Sequence, residues 1–460
     1  MTISPADIAA NLSPAQRRWA TFAVALAVTM SVLDGVMLNV ALPSIQRSLH
    51  ASPASAIWVV NAYQLAVALV LLPLGKSADI FGHHRVYLAC LAVFTIASVG
   101  CAFSSDLVTL SVWRFIQGCG GAGIMGITNA MLRFIFPPKM LARGISTNSL
   151  VVALALASGP TIASMIVEIA SWPWLFLVNV PIGIVLLIIG ARTLPRVPRS
   201  GQDFDLGSAA LCMATFALLI LALDSKAHQD SLWPPALLGM SGIALAYALV
   251  HHQLRRATPL FPVDLLRTRM FGLSVGTMFC AGMAQIMAYV CLPFFFQYDL
   301  GRSQLETGLL FLPWPIAIAC IARFAGRMAN HYPAGALCGV GLAVFAVGLL
   351  SLAFLHHGAS TWNIAWRMAL CGLGYGFFQP PSSRALITSV PVDRSGSASV
   401  MGATGRVLGQ AAGAAMVASL FRLAPEQGRT LTLLVAAGIA LAAMLASAGR
   451  GVRNAAPTPP

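Results

Sequence analysis

The sequence predicts an all-α polytopic membrane protein with fourteen transmembrane helices, built as two six-helix bundles plus an inserted helix pair. Three observations carry that expectation. Of 460 residues, 58% are hydrophobic and 9% charged, with a mean hydropathy of +0.80, which is more apolar surface than a water-soluble globule can bury. Apolar runs of about 20 residues, enough to cross roughly 30 Å of hydrocarbon as helix, recur along nearly the whole chain. Two stretches of sequence also return at an almost constant distance.

The apolar runs lie near 19–42, 54–75, 86–104, 107–132, 145–167, 173–193, 206–223, 233–250, 270–297, 304–322, 333–355, 362–383, 399–421 and 430–449. An even number of crossings puts both ends on one side. The breaks on that side hold about 20 Lys and Arg against about five on the other, a bias that makes both termini cytoplasmic. The formal charge of +14 is therefore a topology signal. No basic cluster with interleaved aromatics accompanies it, which excludes a nucleic-acid partner. The first run is too long for a cleavable leader and lacks a small-residue cleavage site, so it is expected to stay as an anchor. The nine cysteines fall inside or at the ends of spans, with no C-x-x-C pair, and read as small apolar packing residues.

The repeat orders the spans. "GKSADIFG" (75–82) closes the second span and "GRMANHYP" (326–333) follows the tenth, 251 positions later. "WRFIQGCGGAG" (113–123) in the fourth span is answered by "WRMALCGLGYG" (366–376) in the twelfth, 253 positions later. Such self-similarity marks a duplicated six-helix unit. The expected layout is a cytoplasmic tail over 1–17, a first bundle over 18–193, the inserted pair with its linkers over 194–265, a second bundle over 266–449 and a tail over 450–460. "RTLPRVPRSGQD" and "QLRRATPLFPVD", rich in proline and arginine, bracket the inserted pair.

Asp34 is the residue most in need of explanation. Between Arg18 and Arg47 it is the one charge, and a helix starting near Trp19 places it roughly 22 Å from the inner face. A carboxylate at that depth costs several kcal/mol when ionised and unpaired, so it must carry a proton or face a cation. Arg114 supplies the cation: the fourth span runs inward, and a residue about seven positions into it lies roughly 10 Å deep, near the level of Asp34. Its guanidinium stays charged at any workable pH. The repeat mate, Arg367, has no acid in the ninth span and reads as structural.

Other features are weaker singly. Gly75, Asp79, Gly82 and Arg85 form a short loop in which small residues let helix ends approach, and the acid can cap a helix or pair with a basic residue of the other half. Gly159-Pro160 is expected to break the fifth helix in its outer half. Met37, Asn39, Trp58, Asn61, Gln117, Asn129, Gln285, Tyr289 and Gln379 suit a greasy, weakly polar cavity. "GKS" at 75–77 imitates a phosphate loop, but Val70 stands where glycine is needed. The histidine pairs lack further ligands at metal spacing, and no H-E-x-x-H or G-x-S-x-G occurs. No cofactor, metal or enzymatic activity is expected.

These motifs resemble the major facilitator superfamily, whose two halves enclose a midplane site and rock about it. "LGKSADIFGHHR" is similar to its loop motif, "RFIQGCGGAG" to its fourth-span motif and "ALASGP" to the end of its fifth-span antiporter motif. "LDGVMLNVALPSI" with "WPWLFLVNVPIG" resembles the fourteen-span drug:proton antiporter branch. His83 and His84 depart from the basic residues usual after Gly82, and "GPTIAS" lacks the Gly-Gly that normally follows Gly-Pro.

The resemblance implies proton coupling through Asp34 and Arg114, a conformational latch at Gly75, Asp79, Gly82 and Arg85, and a leak-sealing bend at Gly159-Pro160. The function expected is multidrug efflux: export of amphipathic or cationic compounds in exchange for protons, across a bacterial inner membrane, by a monomer. Export of a native metabolite or anion, uptake symport, and a non-transporting sensor are the alternatives. Because Asp34 is the one acid well inside a span, the expected exchange is one proton for one monovalent lipophilic cation.

Overall fold

Helices and turns make up the described residues, with no strand among them. The computed structural model describes residues 5–196, 205–225, 233–255, 263–329, 331–356, 358–390, 395–424 and 427–448. Each expected span is matched by a helix or a stacked pair of helices. In chain order these are α1 (Pro14–Ser48), α2 (Trp58–Phe81), α3 (His83–Ala102), α4 (Leu107–Ile135), α5 (Pro138–Ile169), α6 (Trp174–Thr193) and α7 (Leu206–Ser225). They continue as α8 (Trp233–Leu254), α9 (Arg269–Phe294), α10 (Gln304–Met328), α11 (Ala334–Ala353), α12 (Thr361–Thr388), α13 (Ser395–Leu423) and α14 (Gly428–Ala448).

Among the described residues, nine of these helices are long and apolar enough to cross a membrane by themselves. The others include α4, α12 and α13, which run to 29, 28 and 29 residues but are diluted by glycine and carry Arg114, Arg367 and Arg406. Helices of that kind enter a bilayer as parts of a bundle, where glycine permits close crossing and the charge faces inward.

Local chemistry sets the helix ends. Ser13, Asp106 and Ser360 cap α1, α4 and α12 by accepting backbone N–H bonds from Gln16, Thr109 and Asn363. Ser303 and Glu306 form a reciprocal capping box at the start of α10. Gly82, at φ 96°, makes the turn from α2 into α3 in a conformation that side chains resist.

The chain forms two compact units, Met1–Ala217 and Leu218–Pro460, with the boundary inside α7. In the first, α1 packs on α5 and α6, α2 on α4, and α3 on α4 and α6. In the second, α9 packs on α13 and α14, α10 on α12, and α11 on α12 and α14. Each of these pairings of the first unit thus recurs in the second, eight helices later. Two close crossings recur as well: a Cβ at Gly118 would lie 2.6 Å from the Tyr63 carbonyl oxygen, and one at Gly372 would lie 2.1 Å from that of Trp314. Only glycine admits backbones that close, so the repeated motifs of α4 and α12 are packing devices in both units.

Candidate functional site

Five helices of the first unit converge on Asp34. It sits on α1 with 4% of its surface exposed, against 1% for Arg114 and 0% for Gln117, one turn apart on α4. Arg114 Nη1 donates to Asp34 Oδ2 at 2.5 Å. Gln117 Nε2 and Asn179 Nδ2, the latter from α6, each donate to Asp34 Oδ1 at 2.9 Å. Helix α3 adds Ser98, whose Oγ accepts from Gln117 Nε2 at 2.9 Å, and Cys101, whose Sγ lies 3.6 Å from Gln117 Oε1. Helix α2 contributes the Val59 carbonyl, 3.4 Å from Arg114 Nε, and the face of Tyr63, 4.3 Å beneath the guanidinium carbon.

Three donors and, among the described residues, no acceptor surround the Asp34 carboxyl, the hydrogen-bonding complement of a carboxylate. Arg114 is held from several directions, by the carboxylate, by Gln117 Oε1 at 2.6 Å and by the Tyr63 ring. A buried pair of this kind adds little net stability while intact, but removing one partner strands a charge at about 3–5 kcal/mol. Protonating Asp34 has the same effect on Arg114, since a neutral carboxyl no longer balances the guanidinium. Charge balance in the network therefore depends on both partners staying in contact.

The repeat counterpart behaves differently. Arg367 bonds the Ser351 carbonyl and Asn363 Oδ1 and lies against Trp366. It is a structural tie between α11 and α12.

The remaining predicted residues are divided between the two units. In the first unit Met37, Asn39 and Asn61 are buried, Trp58 is half-buried and Asn129 is exposed. Asn39, five residues from Asp34, turns its amide back to the Gly35 carbonyl. Gln117, expected in a substrate cavity, belongs to the Asp34 network. In the second unit Gln285 is half-buried, and Tyr289 packs edge-on against Phe311 and Trp314 at 5.5 and 5.0 Å. Gln379 lines an open pocket with Arg406.

The short loop expected from Gly75, Asp79, Gly82 and Arg85 shrinks to one residue: Gly75 and Asp79 lie inside α2, Arg85 lies in the first turn of α3, and Gly82 alone joins the two helices. Asp79 sits in the last turn of α2, half exposed, with its carboxylate 3.3 Å from His83 Nε2, and Arg85 is exposed. Gly159-Pro160 lies inside α5, whose helix continues across it from Pro138 to Ile169, since neighbouring helices tolerate the one backbone bond that proline removes. Gly159 instead provides close contact, with its Cβ position 3.3 Å from Val36 and 3.6 Å from Leu33, two residues that flank Asp34.

Asn179, Ser98 and Tyr63 escaped the sequence analysis. Asn179 had a signal, as the lone amide in the apolar stretch of "WPWLFLVNVPIG". Ser98 and Tyr63 had none beyond their spacing on the helix.

The profile of the Major Facilitator Superfamily matches residues 24–414. The chain belongs to the major facilitator superfamily. Among similar facilitators, the uncharacterized transporter YebQ of Escherichia coli K12 is 45% identical over 94% of this chain and 95% of its own length. The putative multidrug resistance protein MdtD of Klebsiella pneumoniae is 30% identical over 78% and 76%. A crystal structure of the peptide transporter POT superposes with a TM-score of 0.73 at 15% identity, covering 98% of each chain, a likeness of fold. This facilitator is thus a multi-pass membrane transporter of small molecules and not an enzyme.

Proposed function

We propose that this facilitator is a proton-coupled antiporter that exports amphipathic small molecules across the inner membrane by alternating access, with both termini in the cytoplasm. The carrying observation is the Asp34 carboxylate, buried and bonded to Arg114, Gln117 and Asn179. In the proposed cycle, a proton reaching Asp34 releases Arg114, the first unit relaxes, and return of the carboxylate to Arg114 discharges the proton. Asp79 and its turn act as the latch between states, and the similarity to MdtD supports efflux as the direction.

Proteoliposomes containing a pH-sensitive dye and an imposed pH gradient test the reading. Substrates found by a susceptibility screen should drive proton flux in the wild type, and Asp34→Asn should abolish that flux while remaining inserted and monodisperse. Undiminished coupled flux from well-folded Asp34→Asn would overturn it.

A further inference from the structure

Arg406 on α13 is a further charge inside the spans, in the second unit, whereas the Asp34 network belongs to the first. It is the twelfth residue of α13, so its Cα stands about 16 Å along the helix from Ser395. Among the described residues no acid pairs with it and its guanidinium makes no hydrogen bond. Arginine cannot shed its proton, and an intramembrane arginine is ordinarily paired or faces a cavity.

Its position is fixed by the packing of α13 on α9. A Cβ at Gly282 would meet the Arg406 backbone oxygen at 2.6 Å and its Cγ at 3.1 Å, so glycine lets the arginine stem lie against α9. The residue lines an open pocket of about 160 Å³ built wholly from the second unit. Gln379 and Ser383 from α12, with Ser399 from α13, bring neutral donors to that pocket, while Met278, Phe378 and Leu386 give it an apolar wall. With the Tyr375 hydroxyl, which also lines the pocket, the set is one cation with no acid beside it among the described residues, four neutral donors and a greasy wall, complementary to a single oxyanion on an apolar tail. The guanidinium fork matches a carboxylate or phosphate bidentately.

We propose that this pocket binds the oxyanion head of an amphipathic molecule through Arg406. Combined with the exporter reading, on which this extension rests, the site makes amphipathic monoanions the substrate class. That is the opposite of the cation preference expected from counting acids alone. An anionic phospholipid head group offers the same chemistry, and the test separates the two sources.

Full-length protein in phosphatidylcholine nanodiscs is titrated with decanoate, decyl phosphate and decyltrimethylammonium, three probes with one tail. The two anions should bind at least about tenfold more tightly than the cation, and Arg406→Gln should lose about tenfold in anion affinity, with Arg406→Lys in between. Nanodiscs doped with phosphatidylglycerol identify the source. Displacement of decanoate, with native mass spectrometry retaining the lipid on wild type but not on Arg406→Gln, assigns the site to lipid; undisturbed decanoate binding assigns it to a free amphiphile. Equal affinity of wild type and folded Arg406→Gln for all probes, or tighter cation binding, overturns the proposal. Should Arg406→Gln fail to fold, a diazirine-bearing decanoate on the wild type decides: cross-links on the pocket segments of α12 and α13 support the site, and cross-links confined elsewhere refute it. No gradient is imposed, so loss of antiport alongside intact anion binding would sink the exporter reading and leave the site standing.

Discussion

Arg114 meets Asp34 at 2.5 Å across 80 positions of sequence, inside a unit whose second copy, among the described residues, pairs no acid with Arg367. The pair's energetics follow from its burial. Arg114→Ala should destabilise the protein by about 3–5 kcal/mol, because it leaves a buried carboxylate unbalanced. The double variant Asp34→Asn with Arg114→Gln should recover most of that loss. Thermal unfolding in one detergent, comparing the single and double variants, checks both expectations.

Asn179 is predicted to matter for the same reason at smaller scale. Asn179→Leu removes one of three donors to a charged group, and a cost of about 1.5–3 kcal/mol is expected. Asn39→Leu, which removes only an amide bonded to its own helix, serves as the comparison and should cost less. Unfolding midpoints that rank the two in reverse would show that Asn179 does not support the carboxylate.

The glycine crossings give a prediction about the fold itself. Gly118→Ala and Gly372→Ala each drive a methyl group into a carbonyl oxygen and should cost about 1–3 kcal/mol or more. Gly276→Ala, with nothing described within 4 Å of its Cβ position, should be silent. Expression level and thermal stability of the three variants are sufficient to decide.

Asp79 is predicted to affect transport far more than stability. Its contact with His83 is half exposed, and such pairs contribute about 0–1 kcal/mol. A latch contact between conformations of about 1–3 kcal/mol would instead shift their populations roughly five- to 150-fold. Asp79→Ala should therefore unfold as the wild type does yet transport poorly. Unchanged accessibility of cysteines engineered into the transport route would count against the latch.

Substrate charge and membrane potential are linked by stoichiometry. One proton entering as one monovalent cation leaves moves no net charge, whereas one proton entering as a monoanion leaves moves two, aided by about 4.6 kcal/mol per 100 mV of interior-negative potential. Clamping the potential with valinomycin in proteoliposomes should alter the export rate of a monoanion and spare that of a cation. An exported cation whose rate tracks the potential would require a second proton site, with exposed Glu168 on α5 the first residue to examine.

Much of this fold was legible because hydrocarbon thickness dictates run length and because the duplicated motifs fall at crossings where only glycine fits. Asp34 and Arg114 were legible because a charge inside a span has few explanations. Asn179 and Ser98 were not, since neutral amides and hydroxyls occur throughout spans and become informative only when three-dimensional packing aims them at one carboxylate. Arg406 was overlooked for a different reason. Counting acids directs attention to cations as cargo, and a lone arginine without an acid partner appears in no such count.

Helix α8 buries only 11% of its most apolar window within the protein, presenting Leu237, Met240, Ile243 and Tyr247 outward. A hairpin so little engaged contributes chiefly its parity. Two added crossings return the polypeptide to the side from which it departed, so a gene can acquire or discard such a hairpin without inverting the half that follows.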